Sequence, residues 1–193
     1  MAAPVPTPTA LEVPPELEAF DATATAVLGG AETPNDAPYP DDIPLPPLGS
    51  FLGRCKIRTH MAAGRNSTVF MGELWDLGLP VAIKVLSPRR RGDRQVLAAH
   101  LRNEFCILSR LNHGHIVRLW DYRDDETQPH LATEYVESLT LEQLRLNHGG
   151  RLSTKLAARI GLKVLEALGA AWSQGIVHRD VKPDNILFTP HGS

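Results

Sequence analysis

In most of the chain, apolar residues are arranged either in short runs typical of β-strands or at the spacing of a helix. The segments Leu52–Met61, Val69–Trp75 and Val81–Leu86 carry β-branched or apolar residues bounded by Gly, Asn and Pro, which predicts three strands. Two further strands are predicted after them, at 116–122 and 131–136. Between the two groups, the apolar residues of Gln95–Asn112 recur at helical spacing and predict a helix.

The longest helical pattern covers Ser153–Ser173 and is rich in Ala and Leu. Ser153 is expected to be its N-cap, and Gly175 lies where a glycine commonly ends a helix. The order is therefore three strands, one helix, two strands and a mostly helical part. This order predicts an α+β protein with two lobes rather than an alternating parallel sheet.

Residues 1–48 differ in composition from the rest. They hold eleven of the 16 prolines and eight acidic side chains, but no Lys or Arg. Proline prevents regular helix, and few large apolar residues are present to offset conformational entropy, so we expect a disordered acidic tail. The proline-free stretch Glu16–Leu28 leaves room for a transient helical turn. A ligand for a proline-recognition module is the less favoured alternative, because solvated proline-rich tails are much commoner.

The net charge of -2 gives no general reason to expect nucleic acid or a membrane surface as a partner. The two cysteines, Cys55 and Cys106, lack metal-ligand spacing along the sequence and argue against a disulfide framework. The sequence shows neither a secretory signal nor an apolar run of bilayer length. We therefore expect a cytoplasmic protein without a membrane span in this chain.

The strongest chemical signal is the run His178–Asn185, which spells His-Arg-Asp-Val-Lys-Pro-Asp-Asn. It follows the long helix on a predicted loop, where catalytic groups tend to lie. Phosphoryl transfer needs a carboxylate near the attacking hydroxyl, cations on the phosphates and metal ligands. Asp180, Lys182 and Asn185 offer these three groups. A charged surface turn is the alternative, and the length of the match argues against it.

This run resembles the catalytic loop of the protein kinase family at every polar position, with Val181 in place of the usual Leu. The resemblance implies a protein-kinase-like two-lobe fold, with Asp180 as the catalytic base and Asn185 as a magnesium ligand. Lys182, two residues after the Asp, resembles the serine/threonine kinases rather than the tyrosine kinases. The implied reaction transfers the γ-phosphoryl group of ATP to Ser or Thr hydroxyls of a protein substrate, with ATP and Mg²⁺ as cofactors.

Upstream residues extend the resemblance. Val-Ala-Ile-Lys at 81–84 matches the third strand of the family, which assigns Lys84 to the α and β phosphates. Glu104 in the predicted helix is its expected ion-pair partner, and an exposed helical charge is the alternative. The glycine-rich loop is matched weakly, since only Gly64 and Val69 keep the family pattern. The segment 131–136 resembles the link between the two lobes.

The residues expected around the adenine share one role, which is to form the back, the edge and the two faces of its pocket. They are Thr133 at the back, Glu134 and Val136 by their backbones at the edge, and Val69, Ala82 and Leu187 at the faces. Core packing is the alternative for these side chains, and both roles are compatible.

The resemblance predicts a kinase domain over 49–193, with an N-lobe of antiparallel sheet and one helix at about 51–136 and the first part of a helical C-lobe at about 137–193. No Asp-Phe-Gly follows Asn185 in this sequence, where the family has a second magnesium ligand and its activation loop. The sequence thus leaves open a non-catalytic nucleotide- or partner-binding module, or an incomplete gene product. The apolar long helix also predicts that this chain alone is poorly soluble or partly unfolded. The oligomeric state stays open.

Overall fold

The structure is a computed structural model that describes residues 23–26, 45–64, 67–86, 94–124 and 128–189. Its strands are β1 Thr23–Ala26, β2 Phe51–Leu52, β3 Cys55–Ala63, β4 Ser67–Leu74, β5 Leu79–Leu86, β6 Leu119–Arg123, β7 His130–Glu134, β8 Leu139–Thr140 and β9 Ile186–Thr189. Its helices are α1 Arg94–Leu108, α2 Leu141–Asn147 and α3 Thr154–Ser173.

Six strands form one antiparallel sheet in the order β2-β3-β4-β5-β7-β6. Side chains alternate between its faces, so Val81, Ile83 and Val85 of β5 are buried in a core while Ala82 and Lys84 face the other way. The sheet curls around this core, which also contains buried residues of β3, β4 and β7. We call the face that holds this core the inner face and the opposite face the outer face.

Helix α1 packs on the outer face. Its Leu101 and Leu108 are buried with Leu86 and Leu131 of the sheet, and Ala167 of α3 joins the same cluster. This cluster connects the sheet to the helical part that follows. Two polar contacts support the connection, from Arg110 to the carbonyl of Gln174 at 2.7 Å and between His115 and Glu166 at 3.3 Å.

The predicted elements are present, with shifted boundaries. A turn at Gly53, whose φ is +54°, divides the predicted strand Leu52–Met61 into β2 and β3. Helix α1 ends four residues before the predicted Asn112, because the backbone tightens into i→i+3 turns at Arg110 and Leu111. The element order, with one antiparallel sheet followed by a helical part, confirms the predicted α+β class with two lobes.

The second part of the chain is built around α3. Ser153 is its N-cap, as predicted, and the Ser153 side chain accepts a hydrogen bond from the Leu156 N–H at 3.3 Å. Gly175 has a φ of +73° just past the helix end, the conformation that favours glycine there. No element was predicted at α2, although Thr140 and Gln143 form a reciprocal capping box at its start.

The acidic tail contains one described element, β1. It pairs antiparallel with β9, with Ala26 opposite Ile186, in a three-stranded sheet of order β1-β9-β8. Thr23–Ala26 is thus a backbone-paired strand within the tail that the sequence predicts to be disordered, and such pairing needs no apolar side-chain pattern. The predicted division of the chain at residue 48 stays a prediction. Residues 1–22 and 27–44 lie outside the described residues. Among the described helices, none is both long and apolar enough to cross a membrane.

Candidate active site

The ion pair between the sheet and α1 is the first element of the site. Lys84 points to the outer face of β5, where α1 packs, and Glu104 lies on the side of α1 that meets the sheet. The distance from Lys84 Nζ to Glu104 Oε2 is 2.8 Å, and the two side chains are 25% and 18% exposed. The structure therefore contains the predicted contact, in a half-buried position where water screens it only in part.

The residues predicted around the nucleotide share the face that carries Lys84. Val69 on β4 lies directly opposite Lys84 on β5, and Ala82 on β5 lies opposite Thr133 on β7. Directly opposed residues of antiparallel strands project to the same side of a sheet. Val69, Ala82, Lys84 and Thr133 are accordingly half-buried on one side, while most of their sequence neighbours are buried on the other.

Gly64 lies at the end of β3, where its N–H donates to the Ser67 carbonyl at 2.8 Å and closes the hairpin with β4. The two residues at the tip of this predicted phosphate loop, 65 and 66, lie outside the described residues. The structure therefore places the base of the loop next to Val69, and the weak glycine pattern at its tip stays a prediction.

The segment after β7 is held at both of its ends. The Glu134 N–H donates to the Arg118 carbonyl at 2.8 Å, and the Ser138 hydroxyl donates to the Val136 carbonyl at 3.0 Å. These bonds fix the backbone of the predicted link between the lobes. Leu187 lies elsewhere, on β9 opposite Thr140 of β8, two residues after Asn185.

Asp180 is the centre of a polar network in the loop after α3. The Asn185 amide Nδ2 donates to the Asp180 carboxylate Oδ2 at 3.0 Å and to the Asp180 carbonyl at 2.8 Å. Lys182 Nζ lies 3.1 Å from the same carboxylate oxygen. A single 3-10 turn at Pro183–Asn185 returns the chain towards Asp180, so one short loop brings the three predicted side chains together.

The backbone of this loop is unusual at one residue. Arg179 has a φ of +65° and is the only non-glycine residue in the described ranges with a positive φ. Left-handed backbone at a residue with a side chain costs of order 1–2 kcal/mol and is found mainly where function requires it. The Asp180 N–H next to it donates to His178 Nδ1 at 3.2 Å, which holds the bend in place.

The electrostatics of the loop favour an ionised Asp180. Hydrogen bonds from Lys182, and then from Asn185, hold the pKa of the Asp180 carboxyl below its ordinary value. Its side chain is 55% exposed, so an incoming group can reach the carboxylate. At neutral pH Asp180 is an accessible anion with a cation beside it.

Asn185 provides a neutral amide oxygen in this loop. The residue is 2% exposed, and both of its bonds to Asp180 use the amide nitrogen. Its Oδ1 is buried and has no hydrogen-bond partner among the described residues. A buried amide oxygen without a donor is costly, and amide oxygens are ligands that Mg²⁺ and Ca²⁺ accept. The residues present thus fit a divalent cation next to Asp180.

An α+β fold of two parts, a Lys–Glu ion pair under a curled sheet and an Asp-centred loop define the kinase class of protein. The family model described as "Protein kinase domain" matches residues 56–193, and the chain belongs to this family. The curated relatives are named kinases as well. The chain is 38% identical over 148 residues to "Serine/threonine-protein kinase PknL" of Mycobacterium tuberculosis, covering 76% of this chain and 37% of the relative.

Two further relatives are also named protein kinases. "Probable serine/threonine-protein kinase PknB" of Lactococcus lactis is 34% identical over 144 residues, with 74% of this chain and 23% of the relative covered. "CBL-interacting protein kinase 19" of Oryza sativa is 33% identical over 144 residues, with 75% and 28% covered. The chain therefore spans well under half the length of these curated relatives.

Solved structures support the fold independently. The kinase domain of PknI from Mycobacterium tuberculosis superposes with a TM-score of 0.63 at 24% identity, covering 74% of this chain and 57% of that one. The structure described as "PpkA-294 apo form" gives a TM-score of 0.65 at 18% identity, with the same coverage of 74% and 57%. At these identities the likeness is one of fold.

Proposed function

We propose that this chain carries the nucleotide-binding and catalytic-loop part of a protein serine/threonine kinase. The reaction is transfer of the γ-phosphoryl group of ATP to Ser or Thr hydroxyls of protein substrates. The observation that carries the proposal is the Asp180 network, in which a carboxylate, an ammonium and a buried amide converge within hydrogen-bond distance. Family membership and the Lys84–Glu104 ion pair support it.

In this reaction the substrate oxygen forms a bond to the γ-phosphorus while the bond from that phosphorus to the β–γ bridging oxygen breaks. The hydroxyl proton passes to Asp180. A carboxylate with a lowered pKa is a weak base, so Asp180 takes the proton late and contributes mainly by orienting the hydroxyl. Lys182, beside it, would meet the negative charge of the transferred group.

The nucleotide would lie against the outer face of the sheet. Lys84, held by Glu104, would contact the α and β phosphates below the loop that begins at Gly64. Asn185 would hold Mg²⁺, which when bound neutralises phosphate charge. The remaining proposed contacts surround the adenine, with Thr133 behind it, Glu134 and Val136 at its edge, and Val69, Ala82 and Leu187 on its faces.

The two cysteines, Cys55 and Cys106, are free thiols. Free thiols suit a reducing compartment, which supports the proposed cytoplasmic site of action.

The test is phosphate transfer from ATP with magnesium to casein, measured for the protein and for Asp180→Asn. Loss of a general base lowers turnover by roughly a hundredfold or more, so we expect at least that decrease. Asp184→Asn is the matched control, since Asp184 is exposed and lies on the same 3-10 turn. Unchanged turnover in Asp180→Asn would contradict the assignment.

The same experiment distinguishes the proposed kinase function from a second candidate, a non-catalytic nucleotide- or partner-binding module. The weak match of the predicted phosphate loop, in which only Gly64 and Val69 keep the family pattern, supports this candidate. ATP binding is measured alongside transfer. Binding without any transfer to casein would favour the module, while transfer that depends on Asp180 would exclude it.

A further inference from the structure

Three side chains of metal-binding types meet on the inner face of the sheet, opposite the face that carries Lys84. Cys55 begins β3, Asp121 lies in β6 and His130 begins β7. Their sulfur, carboxylate and imidazole ligand atoms all lie within 4.8 Å of one another. The strands β3 and β6 are well separated in the strand order, so the curl of the sheet brings these residues together.

His130 has the orientation that a metal ligand needs. Its Nδ1 lies 3.0 Å from the Gln128 carbonyl oxygen, and because a carbonyl only accepts, Nδ1 carries the ring proton. Nε2 then presents a lone pair. The residue is fully buried, and Nε2 has no hydrogen-bond partner within the described ranges. Metal-binding histidines usually donate their second ring N–H to a carbonyl or carboxylate in this manner.

Asp121 offers a second buried acceptor. Its Oδ1 accepts the Tyr122 N–H at 3.0 Å, while Oδ2 is buried without a hydrogen bond to any described residue. Arg123 Nε lies 3.9 Å from Oδ2, too far for a hydrogen bond, and its side chain is 51% exposed. The carboxylate and the imidazole therefore direct lone pairs into one buried space, which a cation would satisfy.

Cys55 completes the cluster. It is 0% exposed, and its thiol belongs to the core of the curled sheet. The thiolate is the form of cysteine that binds metal, so a bound ion would displace the thiol proton. The competing role for Cys55 is that of a small core residue.

We propose that Cys55, Asp121 and His130 form a Zn²⁺ site that ties β3 to β6 and β7. A donor set of thiolate, imidazole and carboxylate suits zinc, whereas Mg²⁺ and Ca²⁺ take oxygen ligands. Zinc–ligand bonds of about 2.0–2.3 Å place the ligand atoms of a tetrahedral site roughly 3.3–3.8 Å apart. Because the ligand atoms lie within 4.8 Å of one another, the side chains would close by at most about 1.5 Å, with the fourth position left to water.

The turn at Gly53 is compatible with this arrangement. A Cβ at Gly53 would lie 3.2 Å from Arg123 Nε and 3.5 Å from Asp121 Oδ2. The absence of a side chain therefore lets the β2–β3 turn approach β6 closely. The proposal rests on these inner-face contacts and is independent of the proposed kinase activity.

The first test is zinc uptake by the unmodified chain, prepared with zinc and then dialysed against metal-free buffer. We expect about one bound Zn²⁺ per chain by elemental analysis, and a melting temperature that rises with zinc and falls with chelator. A chain that retains no zinc and whose melting temperature does not respond to zinc would overturn the proposal before any variant is made.

The second test assigns the ligands. Cys55→Ser and Asp121→Asn keep side-chain size, and each should weaken zinc binding on the order of tenfold or more. Cobalt supplied in place of zinc should show thiolate-to-metal charge transfer in the unmodified chain and lose it in Cys55→Ser. Cys106→Ser is the matched control, because Cys106 is an exposed cysteine on α1, and it should bind zinc and cobalt as the unmodified chain does.

Circular dichroism of each apo variant separates loss of a ligand from loss of the fold. A folded Asp121→Asn chain with unchanged zinc affinity, or cobalt charge transfer that survives in Cys55→Ser but not in Cys106→Ser, would overturn the ligand assignment. If Cys55→Ser fails to fold, the comparison of Asp121→Asn with Cys106→Ser decides the same question.

Discussion

The curled sheet and the helical part around α3 bury their apolar residues differently. In the sheet, Ile57, Leu74 and Ile83 are completely buried in one core, and α1 covers part of the outer face. In α3, Ile160, Val164, Ala167 and Ala171 are buried along one side of the helix. Leu162, Leu165 and Trp172 follow another side and are 61%, 65% and 70% exposed.

This difference shows that an apolar residue predicts burial more reliably in the sheet than in α3. In β5 the alternation of side chains identifies both the core and the functional face, because a strand has only two sides. In α3 apolar residues occupy two sides of the helix, and sequence alone does not say which one packs. The proposed active site combines the two regions, with Lys84 from the sheet and Asp180 from the loop after α3.

The largest expected effect is at Gly72, which is buried in β4 between β3 and β5. A Cβ there would lie 2.5 Å from Ile83 Cδ1 and 2.5 Å from the Lys56 carbonyl oxygen. Because the backbone of β3 cannot move without disturbing the ladder, Gly72→Ala should lower the free energy of unfolding by about 1–3 kcal/mol. Urea denaturation measures this decrease.

Combining Gly72→Ala with Ile83→Val shows which contact dominates. Ile83→Val alone should cost about 0.5–1.5 kcal/mol. If the side-chain contact is the main clash, the double variant will be more stable than the sum of the two single effects predicts. A neutral Gly72→Ala variant would mean that the sheet is less tightly packed than its core indicates, and the contrast with α3 would fail.

Much of the sheet and of the active site follows from the sequence. Side-chain burial alternates in β4 and β5, the first three residues of β7 are all buried, and Lys84, Glu104 and the Asp180 loop lie at family positions, so these elements were predicted correctly. The roles of these residues in catalysis and nucleotide binding stay predictions. The boundaries of α1 and of β3 were wrong by a few residues, because local turns rather than apolar periodicity end these elements.

Other features depend on contacts that no local pattern contains. The pairing of β1 with β9 joins residues more than 150 positions apart through their backbones. The cluster of Cys55, Asp121 and His130 likewise has no metal-ligand spacing along the chain, and it exists because the sheet curls. Helix α2 and the short strands β8 and β9 were not predicted, although α2 has a local signal in the capping box of Thr140 and Gln143.

A smaller effect of opposite sign is expected at Gly161, inside α3. A Cβ at this position would meet no atom within 4 Å. Alanine loses less conformational entropy than glycine in a helix, so Gly161→Ala should raise the free energy of unfolding by roughly 0.5–1 kcal/mol. The midpoint of urea denaturation gives the change, and Gly169→Ala, which is equally uncrowded, should behave in the same way.

Destabilisation by Gly161→Ala would contradict the view that this side of α3 is more open than the sheet. It would mean that a further group packs against this side of α3 in solution. The alanine would then crowd that group, and the position would resemble Gly72 instead of an open helix surface.

The smallest effect on stability is expected at Leu162, Leu165 and Trp172, which we call the exposed stripe of α3. Replacing Leu162, Leu165 and Trp172 by Gln removes apolar surface that water already contacts, so each change should alter the free energy of unfolding by less than about 0.5 kcal/mol. Solubility should respond much more, because exposed apolar patches promote association. Light scattering should show less aggregate for the triple variant, while Val164→Gln, on the buried side, should unfold the helical part. A wild-type chain that melts sharply as a monomer would contradict the predicted poor solubility, and it would show that the exposed stripe is tolerated as it stands.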